Sequence, residues 1–266
     1  MNKAERAIDE LRGIDKLTSI NSPMHRLSPL SKMALTIIYI ITTVSFHKYD
    51  LWGIIPMVLF PIIGYQFSLI PVSTCFKKLR IVMPLVCCVG LLNPFFDKAV
   101  ITYIGTVGVS GGVISMVTLM LKGVFCLMAS FLLVATTTAE EICAALNKIH
   151  CPKILTSLFL LTVRYISVLL EEVANMTDAY HLRAPGQKGI HISAWGSFLG
   201  QLILRSMDRA QALYESMLLR GFNGVIDYPE KENKNKYSWV VAIICIVLII
   251  FTRYFNIPAY LGSLAL

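Results

Sequence analysis

RSMDRAQALYESMLLRGFNG occupies Arg205 to Gly224. Wound at about 100° per residue, it sets Met207, Ala210, Tyr214, Met217 and Leu218 on one face, in line with Ile203 just upstream. Arg205, Asp208, Arg209, Ala212, Ser216 and Arg220 fall on the other. Apolar residues at steps of three and four predict an amphipathic helix with two clean faces. Gly221 suits the left-handed position that ends a helix. Arg220 is then left in the last turn, beside the partly negative helix end. A helix-final arginine standing alone is usually no more than a complement to that dipole. Its surroundings here give it a second reading.

The chain has 266 residues, 56% of them hydrophobic and only 15% charged, with a mean hydropathy of +0.66. Soluble domains sit nearer 45–50% apolar, at about 25% charged, so the composition predicts a polytopic membrane protein. A net charge of +8 would point to nucleic acid in a soluble protein. In this chain its placement sets membrane orientation instead, and no nucleic-acid partner is expected. The seven cysteines form no CxxC or metal-ligand spacing, and five lie in or beside apolar runs, where cysteine packs as a small hydrophobe. No disulfide framework is expected. The polar first thirty residues lack the basic-plus-apolar pattern of a cleavable leader.

Five apolar runs predict five crossings: 30–46, 51–70, 81–92, 113–135 and 239–255. Pro56 and Pro61 should bend the second. The third reads as short, following a loop over 71–80 that carries Lys77, Lys78 and Arg80, interrupted at Pro84 and stopped at Asn93-Pro94. A proline-broken span has to be buried among other helices, because lipid cannot satisfy freed backbone groups. Residues 102–109 alternate loosely and read as a short hairpin. Lysine and arginine are dense in the N-terminal segment, in 71–80 and in 136–237, which places these in the cytoplasm and the C-terminus outside. The chain thus divides into 1–135 with the first four spans, a cytoplasmic module over 136–237, and a last span with a short tail over 238–266. The fold class is all-α.

A hundred-residue connection is too long to be an idle loop. Thr138 with Glu141 forms a capping box that opens a short helix to about Ile149. Cys151-Pro152 breaks it, and Pro152 suits the first position of the next helix, about Ile154 to Arg183. That helix carries a polar stripe of Arg164, Ser167, Glu171, Asn175, Asp178 and His181. Its first half is apolar enough to resemble a sixth span. A central arginine costs ~2.5–3.5 kcal/mol on insertion scales, so Arg164 argues for a helix along or beneath the membrane. A third helix runs from about Ser193 to Leu219.

The last two helices each end in an arginine followed by a breaker: His-Leu-Arg-Ala-Pro-Gly over 181–186 and Leu-Leu-Arg-Gly-Phe over 218–222. Joined by a short turn, as an antiparallel or crossed pair, they hold these ends apart. Two cationic tips suit a partner with two similar acidic receptors, since the planar guanidinium grips a carboxylate bidentately.

The chain resembles the transmembrane T component of energy-coupling-factor (ECF) transporters, in its cobalt-type CbiQ group. The resemblance rests on Pro23-x-His25-Arg26-Leu27-x-Pro29-x-x-Lys32, Asn93-Pro94-Phe95-Phe96-Asp97, Leu133-Val134-Ala135-Thr136-Thr137, Arg164-Tyr165, Glu171-Glu172, and Arg205-x-x-Asp208-Arg209-Ala210 continuing through Tyr214, Met217 and Arg220-Gly221-Phe222. The family resemblance implies that two small-residue–Arg–Gly motifs dock into grooves on two cytoplasmic ABC ATPase subunits. By motif position these arginines are Arg183 and Arg220, with Gly221. The first motif departs from the pattern, as Leu182-Arg183-Ala184 with Gly186 displaced by Pro185. Arg164, Glu171, Glu172, Arg205, Asp208, Arg209, Tyr214 and Met217 are implied as support for the coupling helices. ATP and magnesium belong to the partner ATPases, no cofactor is implied on this chain, and a separate membrane subunit binds the substrate. The implied role is energy coupling for cobalt or nickel uptake, with vitamin uptake as the alternative.

Other classes weigh less. No glycine-rich phosphate loop is present, so ATP hydrolysis on this chain is not expected. The scattered histidines give no metal motif. Glu140-Glu141 and Glu171-Glu172 would need further ligands on the spans to act as an intramembrane protease. An ATP-independent carrier would need pathway residues and shows no inverted repeat. A membrane scaffold that binds partners through Arg220 remains an alternative. Lys122, in the middle of the fourth span, reads either as a functional intramembrane cation or as a snorkelling side chain on a tilted helix.

Overall fold

A computed structural model describes residues 3–20, 22–96, 100–104, 107–187, 189–224, 226 and 237–254. In chain order the helices are α1 (Lys3–Thr18), α2 (Pro29–Val44), α3 (Leu51–Ile54), α4 (Leu59–Ser68), α5 (Val72–Phe96), α6 (Gly111–Thr136), α7 (Ala139–Lys148), α8 (Lys153–Arg183), α9 (Trp195–Leu219) and α10 (Tyr237–Tyr254). Short 3-10 turns cover Ile55–Val58 and Ile192–Ala194. The expected hairpin is present: β1 (Val100–Ile104) pairs antiparallel with β2 (Val107–Ser110), Tyr103 opposite Gly108, with an irregularity between Val100 and Thr102. The fold is otherwise helical, as the composition requires.

The chain forms two compact units. The first takes the described residues within Leu17–Thr137 and Lys231–Leu266. Its core joins Leu35, Tyr39, Phe46, Ile54, Met57, Phe125, Ala129 and Ile249, with a second cluster around Tyr65, Cys75, Met128 and Leu132. The helices approach closely where one side lacks a side chain. A Cβ on Gly64 of α4 would lie 2.4 Å from Leu132 Cδ2 of α6, and one on Gly123 of α6 would lie 3.1 Å from Val86 of α5. Small residues at such crossings let backbones approach and gain dispersion energy where the hydrophobic effect gives none. The outside is apolar: Ile37, Ile41 and Val44 on α2, and Val240, Ile244, Val247 and Phe251 on α10, are all exposed. So large an apolar exterior is the surface of a polytopic membrane protein.

The second span is broken as its prolines require. α3 passes through the 3-10 turn into α4, and the carbonyl of Met57, whose helical partner would be the absent N–H of Pro61, accepts instead from the buried Tyr39 hydroxyl at 2.9 Å. That contact satisfies in protein what lipid could not.

Three expectations need correction. Residues 71–80 are not a loop. α5 is 25 residues long, begins at Val72 right after Pro71, and carries Lys77, Lys78 and Arg80 in its first turns. Pro84 and Pro94 lie inside it, so neither ends it. A proline set just ahead of a run with no glycine before Gly90 starts a helix as readily as it ends one. The polar N-terminal segment, read above only for its charge, forms α1. Pro152 is the N-cap of α8, not its first helical residue.

By length and composition, Gly111–Thr136 and Lys153–Arg183 can cross a bilayer; Pro29–Val44, 55–68, Leu79–Pro94 and Tyr237–Arg253 are shorter apolar helices.

Candidate functional site: two arginine-ended helices

The other unit holds the described residues within Met1–Lys16 and Thr138–Glu230. α7 opens with the expected capping box, Thr138 Oγ1 accepting from the Glu141 N–H at 3.2 Å while Glu141 Oε2 accepts from the Thr138 N–H at 3.4 Å. It packs on the start of α8. Thr156 Oγ1 donates to Asn147 Oδ1 at 2.8 Å, and the buried Cys143 thiol faces the Thr156 carbonyl at 3.7 Å. Burial, followed by the Glu140 charge, pushes the Cys143 thiol above its ordinary pKa.

Where α8 and α9 meet, one carboxylate holds two arginines. Glu172 lies on α8 with only 14% of its side chain exposed. It accepts from Arg205 Nη1 on one oxygen and from Arg209 Nη2, 3.3 Å away, on the other. Arg205 and Arg209 are four apart on α9, so one helix face aims both forks at one point. Glu171, next to it, turns elsewhere and pairs with Arg12 of α1 at 3.8 Å. Both partners there are well exposed, so that pair contributes at most ~1 kcal/mol.

The two tips differ in construction. α9 ends in a Schellman motif. The Phe222 N–H donates to the Met217 carbonyl at 3.0 Å, the Gly221 N–H to the Leu218 carbonyl at 2.9 Å, and Gly221 takes φ +81°. Arg220 is the C-cap. Arg183 is the last residue of α8, followed by Ala184 with φ −127° and by Gly186 with φ +92°. Its turn is closed by a residue the sequence did not single out. The Tyr180 hydroxyl donates to Gln187 Oε1 at 2.9 Å and accepts from the His191 N–H at 3.3 Å. No local pattern announces a bond across seven and eleven positions.

Arg183 and Arg220 are exposed, and neither makes an ion pair among the described residues. Each follows a leucine with almost no cover: Leu182 is 84% and Leu219 90% exposed. Each tip therefore presents a cation beside an apolar knob. Arg164, Asp208 and Tyr214 are exposed too, and Met217 is half-buried. α9 has no buried residue, so its apolar face, from Ile203 through Met207 and Tyr214 to Leu218, is uncovered.

Lys122 is not brought to this site. From α6 its Nζ donates to the Val44 carbonyl at 3.1 Å and to the Phe46 carbonyl, at the C-terminal end of α2. Arg253 of α10 donates to the Ser45 carbonyl between them at 3.1 Å. The lysine thus complements a negative helix end. The same device recurs at the other end of the pair. Lys32 of α2, 2% exposed, donates to the carbonyl of Thr136, the last residue of α6, at 2.7 Å. His25 lies beside it, bonded to Ser22 Oγ at 2.7 Å and to the Leu17 carbonyl at 3.1 Å. The Pro23–Lys32 motif is therefore a knot that fastens the entry of α2 to the exit of α6. No cluster of three metal-ligating side chains occurs among the described residues.

The family model described as "Cobalt transport protein", CbiQ, matches residues 20–235, which takes in most of both units. The chain belongs to the CbiQ family. It is a family of membrane components of transporters. Among curated relatives, an uncharacterized protein of Methanocaldococcus jannaschii is 24% identical over 82% of this chain and 77% of its own. The energy-coupling factor transporter transmembrane protein EcfT of Ruminiclostridium cellulolyticum is 28% identical over 77% of this chain and 81% of its own. The nickel permease LarQ of Lactiplantibacillus plantarum is 30% identical over a shorter stretch, 34% of this chain and 33% of its own. The CbiQ-family match spans α2 through α9, so both arginine tips and the Glu172 crossing fall within it.

Proposed function

We propose that this chain is the membrane energy-coupling component of an ECF-type importer for cobalt or nickel. It carries ATP-driven motion from two cytoplasmic ABC ATPase subunits to a separate substrate-binding membrane subunit. The observation that carries the reading is the pair of exposed Leu-Arg ends, Leu182-Arg183 and Leu219-Arg220, on helices locked together at Glu172. An apolar knob beside a fork of donors fits an apolar groove with a carboxylate at its floor. The reading places the N-terminus and 136–237 in the cytoplasm, counts five crossings with the C-terminus outside, and keeps α8 along the cytoplasmic face because of Arg164. The chemistry then lies on the partners: they bind ATP and magnesium, and this chain is not itself catalytic. Cobalt follows the family description, and nickel follows the LarQ relative.

The test is co-expression with ABC ATPase subunits and a substrate-binding subunit, comparing the native chain with Arg183→Ala and Arg220→Ala. Co-purification, ATPase rate and uptake of radiolabelled cobalt(II) and nickel(II) are the readouts. Both variants are expected to lose partner or coupled uptake. Native assembly and uptake in both would return Arg220 to a dipole-capping role. Uptake of neither metal by an assembled, ATP-hydrolysing complex would remove the metal assignment and leave the coupling role standing.

A further inference from the structure

We infer that Ser157 is a positioning residue that ties the Arg220 tip back to the first turns of α8, so that α8 receives force at both ends. The inference rests on the docking role proposed above for Arg183 and Arg220.

Arg183 is the last residue of α8, so a pull on the first tip acts on that end directly. The second tip belongs by sequence to α9, and along the chain it would act on α9 alone. The described residues beyond it show a second connection. Past the Schellman turn the backbone bends again at Gly224, φ +91°, and the N–H of Ile226 donates to Ser157 Oγ at 3.1 Å. Ser157 is 4% exposed. A hydroxyl withdrawn from water to that extent holds its bond against little solvent competition, and removing it takes from the half-buried Ile226 N–H the acceptor it uses.

From Arg220 to Ile226 the chain reaches at most about 20 Å when fully extended, and two turns shorten it. The tip is thus a closed loop, fixed to α9 at one end and to α8 at the other. Thr156, next to Ser157, extends the tie to α7 through its bond to Asn147. Two consecutive hydroxyls in one turn therefore bond in two directions, one toward α7 and one toward the segment after the tip. Ser157 and Arg183 lie about 39 Å apart along α8 at ~1.5 Å per residue. A partner moving the Arg220 tip would shift the start of α8, while a partner moving the Arg183 tip shifts its end. α8 is in this view the common lever, and α9 braces it through Glu172.

The test uses the assembled complex with its ATPase subunits and compares nucleotide-free and ATP-vanadate-trapped states by hydrogen–deuterium exchange of peptides over 153–160. Ser157→Ala removes the acceptor. Gly224→Ala strains the loop without touching the core, because nothing lies within 4 Å of the Cβ it would add. The native complex is expected to change protection over 153–160 on trapping. Both variants are expected to lose that change while keeping the partners and the response near Arg183. Should Ser157→Ala fail to fold, Gly224→Ala decides alone. An unaltered response at 153–160 with the tie cut, or no response there in the native complex, overturns the inference while Arg220→Ala still uncouples the complex. A native response in Arg220→Ala as well would remove the docking reading, and this one with it.

Discussion

Removing Glu172 tests whether the crossing of α8 and α9 is a fixed brace. Two arginines share this carboxylate, one on each oxygen. A hydrogen bond to a charged group contributes about 1.5–3 kcal/mol when solvent competes little. Here the carboxylate is mostly covered, while Arg205 and Arg209 keep 50% and 48% of their side chains exposed. Their forks stay hydrated after the loss, so the gross figure must be discounted for screening. A net cost of about 2 kcal/mol for Glu172→Ala is the expected size, equivalent to roughly 4–8 °C in melting temperature for a chain of this length. Glu172→Gln keeps an acceptor and should lose about half as much. The longer Arg209 contact should contribute less than Arg205, giving the order Glu172→Ala, Arg205→Ala, Arg209→Ala. The assay is thermal unfolding of the purified full chain in detergent, closed into a double-mutant cycle of Glu172 with each arginine. A coupling of about 0.5 kcal/mol or more for the Glu172–Arg205 pair is expected. Raised salt should reduce it only in part, because the carboxylate is covered. Additive losses in both cycles would refute the brace. Glu171→Ala, which removes the exposed pair with Arg12, is the internal control and should lower the melt by less than Glu172→Ala, at most ~1 kcal/mol.

Lys122→Met removes two bonds to carbonyls at the end of α2. It should lower thermal stability by about 2 kcal/mol, with uptake per folded molecule kept; lost uptake at native stability would restore a pathway role. Tyr39→Phe leaves the Met57 carbonyl, already cut off from Pro61, without its donor, and should cost about 1–3 kcal/mol in a melt; a neutral result would mean another group serves that carbonyl. Gly221→Ala forces a Cβ into left-handed backbone at φ +81°, for about 1–2 kcal/mol, and partner co-purification should fall with it while the α8 tip is untouched. Cys143 has its pKa raised by burial, so its folded value exceeds the unfolded one. The stability linked to it is present below about pH 8.5 and is lost as pH rises from there through the folded pKa. Maleimide labelling read by mass spectrometry should therefore find Cys143 slower than the half-buried Cys151 at neutral pH; equal rates would contradict its burial.

The features legible in sequence alone are those that depend on near neighbours. The capping box joins Thr138 to a residue three positions on, Gly221 answers to the turn beside it, and Pro56 and Pro61 break their own span. The extent of α5 is not legible in the same way, because a proline and three cations look the same before a loop and before a helix. The long apolar run beyond Arg80, unbroken by glycine until Gly90, is what makes them the start of a helix. Glu171 and Glu172 are indistinguishable as letters. One residue turns the side chain by about 100°, and that alone sends the first to Arg12 and the second to the crossing. Tyr180 and Ser157 act on backbone groups set by the turns after α8 and α9, which no spacing rule reaches.

Lys122 shows why an intramembrane cation is ambiguous in one dimension. A lysine in an apolar span needs acceptors, and these can line a pathway or belong to a helix that stops beside it. Which of these holds depends on where the neighbour ends. α2 has 16 residues against 26 in α6, so it runs out partway along its partner. Measured from the Lys32–Thr136 contact, α2 ends about 18 Å on and Lys122 lies about 21 Å on, at ~1.5 Å per residue. The short helix therefore ends at the level of the lysine, and its carbonyls supply the acceptors. The reciprocal contact at Lys32 follows from the same antiparallel pairing, which sets the last residue of α6 beside the first turn of α2 while the end of α2 lies against the middle of α6. Two cations in one helix pair, each bound to the partner's negative end, therefore fasten α2 to α6 at two levels, and neither needs a pathway to explain its place in an apolar span.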